Sequence, residues 1–335
     1  MEKVIRFSLL FFLPICSHIG ETVTTKITFA AIGDFGGIPL PPYSTYTQKK
    51  IARVMGKFAD TKQVQFIVGL GDNFYYEGVK NVDDHRFSST FEHVYKYPAL
   101  KTATWYMIAG NHDYGSNVSA QIAYTKRSKR WHFPHFFYTQ VLKIPGSSTT
   151  VQLVMIDTTL LCCKKQKDLE KLPDVEEQLK WIKQTLEQST AEYLIVAGHH
   201  PVLSAGIHGS TPYLISKLKP LLEENDVTAY LSGHDHNLQH IKEDQSNVHY
   251  IVTGNGNFYN SYMLHKRMLG NSLKFFHGNS GAFTLFEATP EVLIVFQIDE
   301  YGNEVYNTHL QPRTTIQSLN DAEDVLLDDF FTSQS

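Results

Sequence analysis

Five short polar clusters in this 335-residue chain carry side chains of the types that can ligate metal ions, and each follows an apolar run. Residues 27–32 run into Gly33-Asp34-Phe35-Gly36-Gly37, and 66–70 into Gly71-Asp72-Asn73-Phe74-Tyr75. Residues 105–109 precede Gly110-Asn111-His112-Asp113, residues 193–197 precede Gly198-His199-His200-Pro201, and 227–232 precede Gly233-His234-Asp235-His236. Mixed carboxylate, phenol, amide and imidazole donors suit iron, manganese or zinc; calcium prefers all-oxygen shells and copper(I) prefers sulfur. One cluster alone is an ordinary turn, since short motifs match by chance. Five in series, each after a strand, are a joint signal.

Short apolar runs bounded by turn residues read as buried strands. Ligands of α/β sheets gather at the carboxyl ends of strands, where the loops converge. Asp34, Asp72, Tyr75, Asn111, His199, His234 and His236 are therefore predicted to meet, with a glycine before each cluster allowing a sharp turn close to the site. Helical spacing links Ile51, Val54, Met55 and Phe58; Phe87, Phe91, Val94 and Tyr95; and Val175, Leu179, Ile182 and Leu186. A fourth set, Leu214, Leu218, Leu221 and Leu222, contains Pro220, which predicts a kink or early stop. Strands alternating with helices make an α/β domain. The runs 250–253, 282–286 and 292–296 lack helical spacing and are predicted to complete one or both sheets as antiparallel strands.

Composition supports a globular chain with a real core, at 42% hydrophobic and 19% charged residues. A net charge of −4 without a basic stripe argues against nucleic acid as partner. Residues 1–20 read as a signal peptide: Lys3 and Arg6, an apolar run over 7–16, then small or weakly polar residues, with cleavage after Ser17 or Gly20. That run is too short to span a bilayer, and no later segment reaches the length. A single domain over 21–320 and an acidic tail over 321–335 follow. Cys16 leaves with the signal, so Cys162 and Cys163 remain, adjacent, as a free pair or a bonded one. Asn117-Val118-Ser119 is a sequon for an N-glycan in a secreted chain.

Gly-Asp-x-Gly, Gly-Asp-Asn-x-x-Tyr, Gly-Asn-His-Asp, Gly-His-His and Gly-His-Asp-His together resemble the signature of calcineurin-like metallophosphoesterases. Tyr75, three residues after Asp72, points to the purple acid phosphatase branch. Residues 117–124 and 233–239 are similar to the small tartrate-resistant animal enzymes, and the likeness runs from about Lys26 to the last strands. It implies two mixed sheets packed face to face with helices on both outer sides, and hydrolysis of phosphate monoesters at acidic pH. It also implies two metals bridged by Asp72: Fe(III) on Asp34, Tyr75 and His236, and a divalent ion (Fe(II), alternatively Zn or Mn) on Asn111, His199 and His234. Charge counting agrees, because Asp34 and a tyrosinate supply two anionic charges on one side while neutral donors serve the other. Tyr76 is the competing phenol; spacing and family pattern favour Tyr75.

On this resemblance a metal-bound hydroxide attacks phosphorus in line. His112, beside a ligand, is the first candidate to protonate the leaving alkoxide, and His208 matches a second active-site histidine of the family, with a plain loop histidine as its alternative. Histidine ordinarily titrates near ~6.5, so either would carry a proton at lysosomal pH. Asp113 and Asp235 are assigned to orienting neighbouring imidazoles. Implied substrates are phosphoproteins or small phosphometabolites, and the protein is expected to be a monomer, secreted or lysosomal. Two departures stand out. Tyr213 occupies the place of the cysteine that the animal enzymes usually pair with the one matching Cys162, and the polar loop 164–173 is short for the protease-sensitive loop expected there. Rival readings are a colourless zinc or manganese phosphodiesterase, and a binding protein that has kept the fold without catalysis.

Overall fold

The computed structural model describes residues 25–163 and 172–313. The segment expected to be a signal peptide, the acidic tail and most of the 164–173 loop lie outside them. Fourteen strands occur among the described residues: β1 (Ile27–Ile32), β2 (Phe66–Gly69), β3 (Thr104–Met107), β4 (Trp131–His132), β5 (Tyr138–Lys143), β6 (Thr150–Met155), β7 (Tyr193–Ala197), β8 (Ala229–Ser232), β9 (Leu238–Ile241), β10 (His249–Thr253), β11 (Leu273–His277), β12 (Ala282–Ala288), β13 (Leu293–Asp299) and β14 (Glu304–Leu310). They form two seven-stranded sheets, ordered β14-β13-β12-β1-β2-β3-β4 and β11-β9-β10-β8-β7-β6-β5. Parallel pairing runs through β1, β2, β3 and β4 in the first and through β6, β7, β8 and β10 in the second. Antiparallel strands complete both sheets.

Central strands are covered on both faces, which explains their unbroken apolar runs: every residue of β1, β2, β7 and β8 is buried. Alternation in β7 shows what covers each face. Tyr193, Ile195 and Ala197 belong to the core shared with the first sheet, whereas Leu194 and Val196 belong to a second core. That second core takes Ile182 and Leu186 from one helix and Leu214, Leu218 and Leu222 from a later pair. The first sheet is covered by α1 (Tyr46–Thr61), which buries Ile51, Val54 and Met55, and Thr45 caps it by accepting the Gln48 N–H at 3.0 Å. After the short α2 (Pro98–Thr102) and α3 (Val118–Tyr124), α4 (Val175–Glu187) starts on the Asp174 cap, with Glu176 and Glu177 in its first turn.

Three expectations are refined. The helix anticipated over 87–95 is a single wide turn, Phe87–Glu92, closed by His93 N–H donating to Ser88 O at 2.9 Å. Aromatic packing decides it: Phe91 and Tyr95 sit edge-on to Trp105 at 5.0 and 4.9 Å. The leucine set around Pro220 splits into α5 (Pro212–Lys217) and α6 (Lys219–Glu224), each with proline in its first turn, where its missing N–H has no helical partner to lose. β10 is not wholly antiparallel; it pairs parallel with β8 and antiparallel with β9. Cys162 and Cys163 are bonded to each other. Tyr213 and Cys162 both pack, partly buried, against the second core. No helix among the described residues is long and apolar enough to cross a membrane.

Candidate active site

The five polar turns leave the carboxyl ends of β1, β2, β3, β7 and β8. Asp34, Asp72, Tyr75 and Asn111 thus come from the first sheet, and His199, His234 and His236 from the second. The site lies on the seam between them. Hydrogen bonds continue from the ladders into the turns: Asp34 N–H donates to Gly71 O at 2.9 Å, Gly33 N–H to Thr253 O at 2.8 Å and Gly233 N–H to His199 O at 3.0 Å.

The glycines act differently from expectation. The left-handed backbone falls largely on the functional residues themselves, with φ of 57° at Asp34, 51° at Asp72 and 69° at His234. Such conformations are disfavoured for non-glycine residues and persist where surrounding structure imposes them. Glycine instead makes room for a side chain from a neighbouring motif. A Cβ on Gly110 would lie 2.8 Å from Asp72 Cγ, and one on Gly71 2.8 Å from His199 Nδ1.

All seven side chains converge, and their donor atoms fall into two sets. In one, Tyr75 Oη donates to Asp34 Oδ1 at 2.9 Å, and His236 Nε2 lies 3.0 Å from Tyr75 Oη and 3.4 Å from Asp34 Oδ1. In the other, His199 Nε2 lies 3.1 Å from Asn111 Oδ1 and 3.3 Å from His234 Nδ1. Asp72 Oδ1 is 3.5 Å from His199 Nε2, and one donor atom each from Asp34, Asp72 and His199 lie within 4.8 Å of one another. Tyr76 is half exposed, whereas Tyr75 is buried.

Asp34 and Asp72 are both buried, and among the described residues only histidines lie within ion-pair distance of them. Burial pushes the Asp34 carboxyl up, but His236 and His199 outweigh it and hold it below its ordinary value. Asp72 is raised by burial, with Asp34 adding to the effect and His199 opposing it. Burial, then Asp34 and Asp72, push the Tyr75 phenol well above its usual range. Burial lowers His199, yet Asp72 and Asp34 more than reverse this; His234 is driven far down by burial and by His200 and His199. Buried oxygen donors with no lysine or arginine among them, facing imidazole nitrogens, fit hard and borderline cations.

His112 and His208 border this cluster. His112 Nδ1–H donates to Tyr76 O at 2.7 Å, which leaves Nε2 facing Asp72 Oδ2 at 3.9 Å. His208 Nδ1 lies 2.9 Å from Asp235 Oδ1, and its ring packs on His234 at 4.2 Å. Asp235 therefore orients an imidazole, helped by the hydroxyl of Ser204, which donates to its Oδ2.

Asp113 does something else. Its buried carboxylate accepts the N–H groups of Gly110 (2.8 Å), Asn73 (3.1 Å) and Phe74 (3.2 Å), plus the Gln121 amide (2.8 Å), and so ties two ligand-bearing loops together. Asn73 completes the tie by donating to Ile108 O at 2.8 Å and Gln121 Oε1 at 3.0 Å. Sequence reasoning missed Asn73 and Gln121. The Asn73 signal was its place in Gly-Asp-Asn; Gln121 carried none.

Fold and site define a calcineurin-like phosphoesterase, and the profile of that family matches residues 27–238. The chain is 41% identical over 304 residues to tartrate-resistant acid phosphatase type 5 of Oryctolagus cuniculus, covering 88% of this chain and 93% of that one. Identity to the Homo sapiens protein of the same name is 39% over 306 residues, covering 88% and 94%. Purple acid phosphatase 4 of Arabidopsis thaliana is 33% identical over 304 residues, covering 84% and 82%. This chain belongs to the purple acid phosphatases of the tartrate-resistant type and is a phosphatase. Its architecture is shared with GAP50, described as the anchor in the inner membrane complex of Plasmodium (TM-score 0.76, 23% identity, 89% of this chain and 93% of that). It is shared also with purple acid phosphatase PPD1 from yellow lupin (TM-score 0.62, 15% identity, 86% and 54%).

Proposed function

We propose that this phosphatase hydrolyses phosphate monoesters with two metal ions: Fe(III) held by Asp34, Tyr75 and His236, and a divalent ion, Fe(II) or alternatively Zn or Mn, held by Asn111, His199 and His234. Asp72 is shared between them. The observation that carries the reading is the sorting of donor atoms into a carboxylate–phenol–imidazole set and an amide–imidazole set, each within hydrogen-bond distance or little more. When bound, the ion pair supplies Lewis acidity toward phosphate oxygens and acidifies water. A cation beside Tyr75 favours the phenolate and counters the upward push of burial and the two carboxylates.

The remaining work falls to the chain. Backbone hydrogen bonds fix the His199 and His112 tautomers, because a carbonyl accepts only from Nδ1–H: Leu70 O lies 2.8 Å from His199 Nδ1, and Tyr76 O 2.7 Å from that of His112. His112 Nε2 is then the atom that hands a proton to the leaving alkoxide. His208, aligned by Asp235, offers a second Nε2 on the far side of His234. The substrate is a phosphoprotein or small phosphometabolite, met in an acidic part of the secretory pathway by a chain carrying a glycan on exposed Asn117. Asn111→Ala and His199→Ala test the reading on a generic aryl phosphate. Each should lower kcat by more than the ~10–100-fold typical of groups that merely support ligands. Folded variants with turnover within threefold of wild type would contradict it.

A further inference from the structure

Arg86 is a buried cation that the chemistry above does not use. It is 6% exposed. Its Nη1 donates to the carbonyl of Tyr75, its Nη2 to the carbonyl of Gly36 at 2.6 Å, and the Phe74 ring lies 5.5 Å from the guanidinium. Nε has no partner among the described residues. The equally buried Arg130 offers a contrast, because it is paired through Nε and Nη2 with Glu92 at 3.1 and 2.7 Å. Arg86 has no such counter-ion among the described residues. The carboxylate of nearby Asp84 is occupied instead by the backbone N–H groups of Lys80 and Arg86, both at 2.9 Å.

A guanidinium taken from water without a carboxylate must be compensated by hydrogen bonds and local dipoles. Here both strong acceptors belong to ligand-bearing loops. Gly36 stands two residues after Asp34, and the other carbonyl is that of Tyr75. The Tyr75 N–H also donates to Gly36 O, at 3.0 Å, so one carbonyl receives both the tyrosine backbone and the arginine. A planar fork can span two acceptors in a fixed geometry; an ammonium presents one compact head.

We infer that Arg86 is a positioning residue: it locks the Tyr75 loop to the Asp34 loop and thereby sets the separation of the phenol and carboxylate donors. The inference rests on the proposed reading of Tyr75 as a ligand to iron. The test compares iron-loaded wild type, Arg86→Gln, Arg86→Lys and Tyr75→Phe, each checked for folding by circular dichroism. Measured for each are the visible phenolate-to-ferric absorption band, iron per chain, and kcat and KM on an aryl phosphate.

Arg86→Gln, with one arm and no charge, should shift and weaken the band and lower kcat by about 10–100-fold, with KM changed less than about threefold. Arg86→Lys should lie between it and wild type. A folded Arg86→Gln with the wild-type band and kcat within twofold overturns the inference. If that variant does not fold, the same result in Arg86→Lys overturns it. A wild-type band that persists in Tyr75→Phe removes the ligand reading, and this inference with it. A band lost in Tyr75→Phe but untouched in the Arg86 variants removes the inference alone.

Discussion

Replacing Asp113 by Asn changes a single atom at the point where the Asp72 and Asn111 loops are joined. The carboxylate accepts from Gly110 N and Asn73 N on one oxygen, and from Asn73 N, Phe74 N and Gln121 Nε2 on the other. Asparagine keeps one acceptor and turns the other into a donor. With its nitrogen on the Gly110 side, Gly110 N–H loses its partner and faces another donor. The opposite orientation strands Phe74 N–H and the Gln121 amide, so the first is less costly. One buried unpaired N–H costs about 1–3 kcal/mol, and the lost charge assistance brings the total to roughly 2–4 kcal/mol. Larger domains lose about 2–4 °C of Tm per kcal/mol, which gives a fall of roughly 5–15 °C. Loosening the loops should also cost roughly 10–100-fold in kcat. Measurements belong at pH 7.5, because burial and Asp72 push this carboxyl up to about 6 and its protonated form resembles the amide. A Tm within 2 °C of wild type, with kcat within twofold, would refute the reasoning.

Other expectations follow from the same geometry. Gly110→Ala should fold yet lose most activity and part of its metal, because the new Cβ presses on the Asp72 carboxylate; full metal content with wild-type kcat would count against it. Chelation should lower Tm by about 8 °C or more at metal concentrations near 1,000-fold above Kd, through about 4 kcal/mol of binding linkage; an unchanged Tm after verified metal removal would speak against metal held by the folded chain. Acid should destabilise the fold through buried His240 and its half-buried partner His249, whose ring nitrogens lie 2.9 Å apart. Burial and nearby lysines push His240 down to about 4, and burial and His240 push His249 down to about 3. Since the folded values lie below the ordinary ~6.5, this stability is present above that pH and drains away as pH falls toward 4, by about 2 kcal/mol per histidine at pH 5 at most. His249→Gln should therefore show a smaller loss of Tm between pH 7 and 5 than wild type, measured by scanning calorimetry; parallel losses would rule the pair out as the cause.

Much of the site was legible because parallel strands buried on both faces write continuous apolar runs, and each such run ended in a cluster of distinctive polar types. The division of the site between two sheets was not visible, since Asp72 and His199 follow strands with the same apolar grammar yet belong to different sheets. Edge strands were harder still. β5 and β14 each bury one residue, with the rest half-buried or exposed, and owe their pairing to β6 and β13 rather than to their own composition. The 87–95 segment has true helical spacing, but Phe91 and Tyr95 are placed by Trp105, a contact that spacing cannot express. Arg86 and Asp113 have the same lesson in them. Their partners are backbone groups of other loops, so residue type alone reveals neither the carbonyls that Arg86 spans nor the N–H groups that Asp113 gathers.

Metal analysis of the purified protein, together with its visible spectrum beside that of Tyr75→Phe, bears most directly on the paired-cation centre. The account predicts two metal ions per chain, at least one of them iron, and a phenolate-to-ferric band that vanishes in the variant. A fully active protein with one ion per chain, or a band that survives the loss of the Tyr75 hydroxyl, would contradict it.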